Sequence, residues 1–122
     1  MDVVSKDWGR EEILHNGKFC VKRMFVRNHW KCSTHAHPQK QEAFIVLKGR
    51  VYISVGQRAV IAEPGDAVVI NNGIYHYFIG LARESVMVEA STHHDDNDVV
   101  RASRTVKLNR RQVKDLVKSC RI

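Results

Sequence analysis

An all-β fold, an antiparallel sandwich or barrel carrying one short C-terminal amphipathic helix, is what this chain predicts. Three observations predict it. Between residues 19 and 91 the text breaks into short runs rich in β-branched and aromatic residues. Gly, Asn and Pro punctuate those runs at turn positions, and only the last stretch changes period from 2 to 3.6. With 122 residues, 43% of them apolar, there is material for one domain and one core.

The elements follow in order. Residues 19–27 and 43–47 read as strands, and residues 51–55 and 59–61 flank Gly56-Gln57-Arg58, a hairpin turn. Residues 67–70 stop at Asn71-Asn72-Gly73, a turn that requires positive φ. Residues 75–79 and 85–90 complete a set of roughly seven or eight short strands, with no βαβ pattern among them. At the C-terminus Asn109 can cap a helix whose apolar residues Val113, Leu116, Val117 and Cys120 fall on one face. Arg111, Lys114, Asp115 and Lys118 fall on the other. The expected organisation is a barrel over 1–108, with an N-terminal strand segment, and a basic helix over 109–122 packed on it.

The net charge of +7 is confined to one place. Residues 1–100 hold 12 Lys/Arg against 12 Asp/Glu, whereas residues 101–122 hold 8 bases against Asp115 alone. No aromatic residue interleaves those bases, so a stacking platform for single-stranded nucleic acid is missing and nucleic acid is not expected as a partner. The tail reads as a solvated helix face. No apolar run approaches the ~20 residues that span a bilayer, so no membrane partner is expected. A mixed-charge N-terminus and three widely spaced cysteines (Cys20, Cys32, Cys120) point to a reducing cytoplasm.

The segment His35-Ala-His37-Pro-Gln-Lys40-Gln-Glu42 concentrates the chemistry. Strand alternation puts His35 and His37 on one face; Glu42 has the opposite parity, so the chain must turn between them, and Pro38 is placed to start that turn. Gly49 follows seven residues after Glu42, and His76 lies beyond the Gly73 turn. Three neutral nitrogens and one anionic oxygen make a divalent-metal site with open positions. Alternation points Cys32 away from His35 and His37.

His-x-His-x4-Glu-x6-Gly followed by Pro-Gly-Asp and Gly-x2-His resembles the two motifs of the cupins, small antiparallel double-stranded β-helix (jelly-roll) barrels. The first motif is His35, His37, Glu42 and Gly49; the second is Gly65, Asp66, Gly73 and His76. The resemblance covers about residues 7–92. It departs at the usual proline before Gly73 and at Gly80, where an asparagine often stands. It implies a metal held by His35, His37, Glu42 and His76. Lys40, the run Glu89-Ala90-Ser91 and Asp95-Asp96 further resemble D-lyxose isomerases. Asp7-Trp8-Gly9 resembles the cupin domain of type II mannose-6-phosphate isomerases.

The resemblance implies an aldose–ketose isomerase or epimerase of a small sugar or sugar phosphate, working through a cis-enediol. Glu89 would be the base and Lys40, its pKa lowered by the nearby cation, the acid or shuttle. A divalent cation would hold the two sugar oxygens. Manganese is favoured among Mn, Fe, Co, Ni and Zn, because three histidines and one carboxylate leave two octahedral positions free. Alternation along residues 86–90 speaks against Glu89, since Val86, Val88 and Ala90 would form the inner apolar face. Two alternatives stand beside this reading: an Fe(II) dioxygenase, disfavoured by a lysine beside the ligands, and a non-catalytic metal-loaded sugar-binding or regulatory protein. Residues 93–98 read as a solvated polar loop. Trp8 and Trp30 are expected to cover the barrel ends, and open sheet edges suggest a homodimer.

Overall fold

Thirteen strands and one helix succeed one another along residues 1–120, the part of the chain that the computed structural model describes. They are β1 (Asp2–Lys6), β2 (Gly9–Asn16), β3 (Phe19–Arg27), β4 (Trp30–Lys31), β5 (His35–Ala36), β6 (Glu42–Lys48) and β7 (Val51–Val55). Then come β8 (Arg58–Ala62), β9 (Ala67–Ile70), β10 (His76–Gly80), β11 (Glu84–Thr92), β12 (Val100–Arg101), β13 (Val106–Lys107) and α1 (Arg110–Ser119). One sheet runs β1-β2-β3-β11-β6-β9; the other runs β12-β5-β10-β4-β13, with β7 also on β10 and β8 beyond β7. All the strand pairs are antiparallel. From β3 onward the chain crosses repeatedly between the two sheets, which is the winding of a jelly roll.

The inner faces of both sheets share one core. Met24, Val26, Phe44, Val46 and Met87 come from the first sheet; Val51, Ile53 and Phe78 come from the second. Trp8 closes this core edge-on against Phe78, with ring centroids 5.0 Å apart. A second, smaller cluster lies under α1, where Val113, Leu116, Val117 and Cys120 cover Tyr52 and Ile79. Asn109 caps the helix as expected, in a reciprocal box with Gln112. The helix was expected to reach 122; it is described to Ser119, and positions 121 and 122 lie outside the described residues.

Gly49 shows why its position tolerates no side chain. It turns β6 into β7 at φ +82°, and a Cβ there would sit 2.5 Å from Ser85 Oγ.

The N-terminal strand segment is a long hairpin of β1 and β2 (Asp2↔Ile13 through Lys6↔Gly9). The strand reading needs one correction. On β11 the inward row is Ser85, Met87 and Glu89, while Ala90 is exposed. Apolarity misleads there because the outer face of this sheet is itself apolar: Phe25, Ile45, Leu47, Val69 and Val88 line it. The inner face, by contrast, has to present polar groups to a cavity.

Candidate metal and active site

Three histidines reach one point by different routes. His35 lies on β5, His37 just after it, and His76 opens β10, where it pairs directly with His35. Gly73 N–H donates to the His37 carbonyl at 2.8 Å, tying the second motif to the first. One ligand atom from each ring lies within 4.8 Å of the others. All three Nδ1 atoms donate to backbone carbonyls: His35 to Ser33 (2.7 Å), His37 to Asp98 (2.7 Å) and His76 to Ile74 (2.9 Å). That fixes the tautomer and leaves each Nε2 lone pair free, the arrangement of metal-ligating imidazoles.

Glu42 shares the inward parity of Phe44 and Val46 on β6. Its Oε1 is 3.0 Å from His76 Nε2 and its Oε2 is 3.7 Å from His37 Nε2. Both carboxylate oxygens and His76 Nε2 are buried without a hydrogen bond. Buried polar atoms normally find partners, so these atoms fit a cation held by the three-histidine group, with Glu42 beside that group and not within it. Burial and the neighbouring His76 push His35 down to about 3. Burial would raise Glu42, but contact with His76 and Lys40 holds it at about 2. A neutral His35 and an ionised Glu42 are protonation states that a cation needs.

Lys40 joins this group to Glu89. Its Nζ stands 3.1 Å from Glu42 Oε2, donates to Glu89 Oε2 at 3.1 Å and to His94 Nδ1 at 3.0 Å. Burial would lower Lys40, but in the metal-free site Glu89 and Glu42 outweigh it and raise its pKa. Glu89 is only 4% exposed; burial and Glu42 push it up, and Lys40 partly offsets them.

The loop expected to be solvated is part of the site. His94 Nε2 donates to Asp96 Oδ1 at 2.8 Å, and Asn16 grips the His94 backbone from β2. Asp98 accepts from the Gln39 and Lys40 amides, both at 2.8 Å, while its own carbonyl orients His37. Sequence reasoning missed Asp98 because its partners lie almost sixty positions away. Lys22 was also missed, although it shares the inward parity of Cys20, Met24 and Val26. Cys32 faces inward too, because the strand period lapses at Ser33-Thr34. Its Sγ accepts from Phe78 N–H, and burial pushes the thiol up to about 12, so it stays apart from the histidine group.

His35, His37, Lys40, Glu89, His94 and Lys22 line a cavity of about 390 Å³, walled on its apolar side by Met24, Phe44 and Phe78. The family model described as Cupin domain matches residues 23–90, more than half of the chain. This chain is a cupin. The cupin is 26% identical over 102 residues to mannose-1-phosphate guanylyltransferase of Sinorhizobium fredii (strain NBRC 101917 / NGR234), a match covering 80% of this chain and 20% of the relative. It thus spans about a fifth of that relative's length. Among solved structures, KdgF from Halomonas sp. superposes with a TM-score of 0.73 at 15% identity, covering 80% of the cupin and 90% of that chain. CapF of Staphylococcus aureus, a capsular polysaccharide assembling protein, gives 0.67 at 18% identity over 88% of the cupin and 31% of that chain.

Proposed function

We propose that this cupin is a metal-dependent aldose–ketose isomerase (or epimerase) of a small sugar or sugar phosphate. The observation that carries the reading is the Lys40 ammonium, held 3.1 Å from both Glu42 and Glu89 beside the histidine group. His35, His37, His76 and Glu42 would hold one divalent ion, with manganese the favoured choice. When bound, that ion supplies Lewis-acid stabilisation of negative charge on sugar oxygens. Glu89, whose burial makes it a stronger base than a free carboxylate, takes the proton from the carbon next to the carbonyl. Lys40, kept as an ammonium by its two carboxylates, donates to the carbonyl oxygen. Glu89 then returns its proton to the former carbonyl carbon. The hydroxyl on the neighbouring carbon gives its proton to the Lys40 amine, which restores the ammonium and leaves the new carbonyl there. Apolar walls limit the water that could compete. The curated relative is named for mannose-1-phosphate, which supports a sugar ligand in this fold.

The test is solvent exchange. D-Lyxose, D-mannose and mannose 6-phosphate are each incubated with protein and Mn²⁺ in D₂O and followed by NMR. One of them is expected to gain deuterium at C2 and yield its ketose. Glu89→Gln should lower that rate by about 10² or more with its metal retained, whereas replacing His35 and His37 by Ala should remove the metal. No exchange with any sugar, or full activity in Glu89→Gln, overturns the reading. The apolar wall of Met24, Phe44 and Phe78 favours an Fe(II) dioxygenase as second reading; oxygen consumption by the Fe²⁺-loaded protein would identify it.

The active unit is proposed to be a homodimer. Leu47 (53% exposed) and Val69 (63% exposed) continue the apolar outer face of Phe25, Ile45 and Val88. Arg10, stacked 3.7 Å over Phe25, and the Arg23–Glu12 pair border it. A second copy suits such a surface, because both signs of charge at the rim can match under a two-fold axis. A cytoplasmic setting is proposed from the free Cys20, Cys32 and Cys120. No described helix is long and apolar enough to cross a membrane.

A further inference from the structure

Five charges alternate in sign across the inner face of the first sheet and the loop beside it: Glu11, Lys22, Glu89, Lys40 and Glu42. Lys40 has both its carboxylates at 3.1 Å. Lys22 is not matched in this way. It is 2% exposed, stands beside Glu89 in the β3–β11 register, and meets Glu11 Oε1 only at 3.6 Å. That is too long for a hydrogen bond, and among the described residues its ammonium makes none. A buried cation with unused donors is costly to keep unless something else approaches it.

Lys22 points into the same cavity as the histidine group, and Lys6 and Arg101 line that cavity as well. Among the described residues neither Lys6 nor Arg101 forms an ion pair. Among the acids that line the cavity, Glu89 is engaged by Lys40, Asp96 by His94 and Asp95 by the Asn97 amide at 2.9 Å, while Glu11 has, among the described residues, Lys22 alone, at 3.6 Å. Beyond the long Lys22–Glu11 contact, the capacity left open at this end of the cavity is that of Lys6, Arg101 and the Lys22 ammonium. A neutral sugar would leave it so; an anionic oxygen cluster would satisfy it.

We infer that the ligand of this cavity is an acidic sugar, whose carboxylate or phosphate is bound by Lys22 with Lys6 and Arg101. This rests on the sugar reading above and narrows it to one charge class. Both anions offer several oxygens to ammonium and guanidinium donors, the shared chemistry that recognises them.

Binding to the full-length Mn²⁺-loaded protein is measured calorimetrically for three sugars that share one ring: D-mannose, D-mannuronate and D-mannose 6-phosphate. At least one acid is expected to bind about tenfold or more tightly than D-mannose. The acid that wins says which anion is meant. Its advantage should shrink as salt rises from about 0.05 to 0.5 M and disappear in Lys22→Met, which keeps the volume and removes the charge. If Lys22→Met does not fold, Arg101→Gln at the exposed mouth is expected to reduce the same advantage. Equal affinity for all three sugars, no binding by either acid, or an advantage that survives removal of these cations overturns the inference. A bound acid that is never isomerised would leave the charge class standing and remove the isomerase. Isomerisation of D-mannose without any acid preference would do the opposite.

Discussion

His35 and Glu42 answer acid in the same direction. Each has a folded pKa below its ordinary value, His35 at about 3 against 6.5 and Glu42 at about 2 against 4.5. At these two groups the native state therefore holds fewer protons than the unfolded chain, with Glu89, raised by burial, working the other way. The advantage from His35 and Glu42 is complete above about pH 6.5 and is lost as pH falls through the folded values. The urea midpoint of the metal-free protein should accordingly decline steadily from pH 7 to pH 4; a flat profile would contradict the buried neutral His35. At this scale the three-histidine group was legible because histidine spacing is a local property of the text. Lys22 was legible in principle, since Met24 and Val26 announce the inner face of its strand. Asp98 was not, because a backbone carbonyl as partner leaves no trace in residue identity.

β11 and α1 show the two ways an element can be read. For α1 the 3.6-residue period, the Asn109 cap and the apolar face all agree, and the helix forms where they say. Val113 is its one buried residue, seated on Tyr52 and Ile79. Val113→Ala is expected to cost roughly 1–3 kcal/mol in chemical denaturation while leaving metal stoichiometry unchanged, because the helix touches none of the histidines. Loss of metal in that variant would show that α1 supports the site. β11 was misread from apolar alternation because both of its faces carry apolar residues. What set its orientation was the register with β3 and β6, where Glu89 pairs with Lys22 on one side and Phe44 on the other. Pairing across forty or more positions is invisible to a window of ten. The same limit hid β12 and β13, two-residue strands that exist only because β5 and β4 offer edges to them.

The whole molecule has one filled half and one hollow half. Core aromatics and valines fill the space beneath β7 and β10, while the histidine end stays open as a cavity. An antiparallel sandwich or barrel was readable from turn spacing and the jelly roll from the resemblance of the two motifs, whose glycines mark where the chain changes sheet. The outer apolar surface was not anticipated; the dimer was expected from open edges, whereas the exposed residues lie on a sheet face. Pairing of two copies there predicts that the Leu47→Lys, Val69→Lys double variant elutes as a monomer with its metal retained. A wild-type mass of one chain by light scattering would exclude the pair.

Asp98 has a consequence in time as well as in space. Its carboxylate holds the amides of Gln39 and Lys40, and its carbonyl aims the ring of His37. A nascent chain emerging from the ribosome displays His35, His37 and Glu42 long before position 98 is made. Until then the His37 ring lacks the carbonyl that orients it and the turn after it lacks its anchor, so the geometry of this early segment waits on a residue translated about sixty positions later.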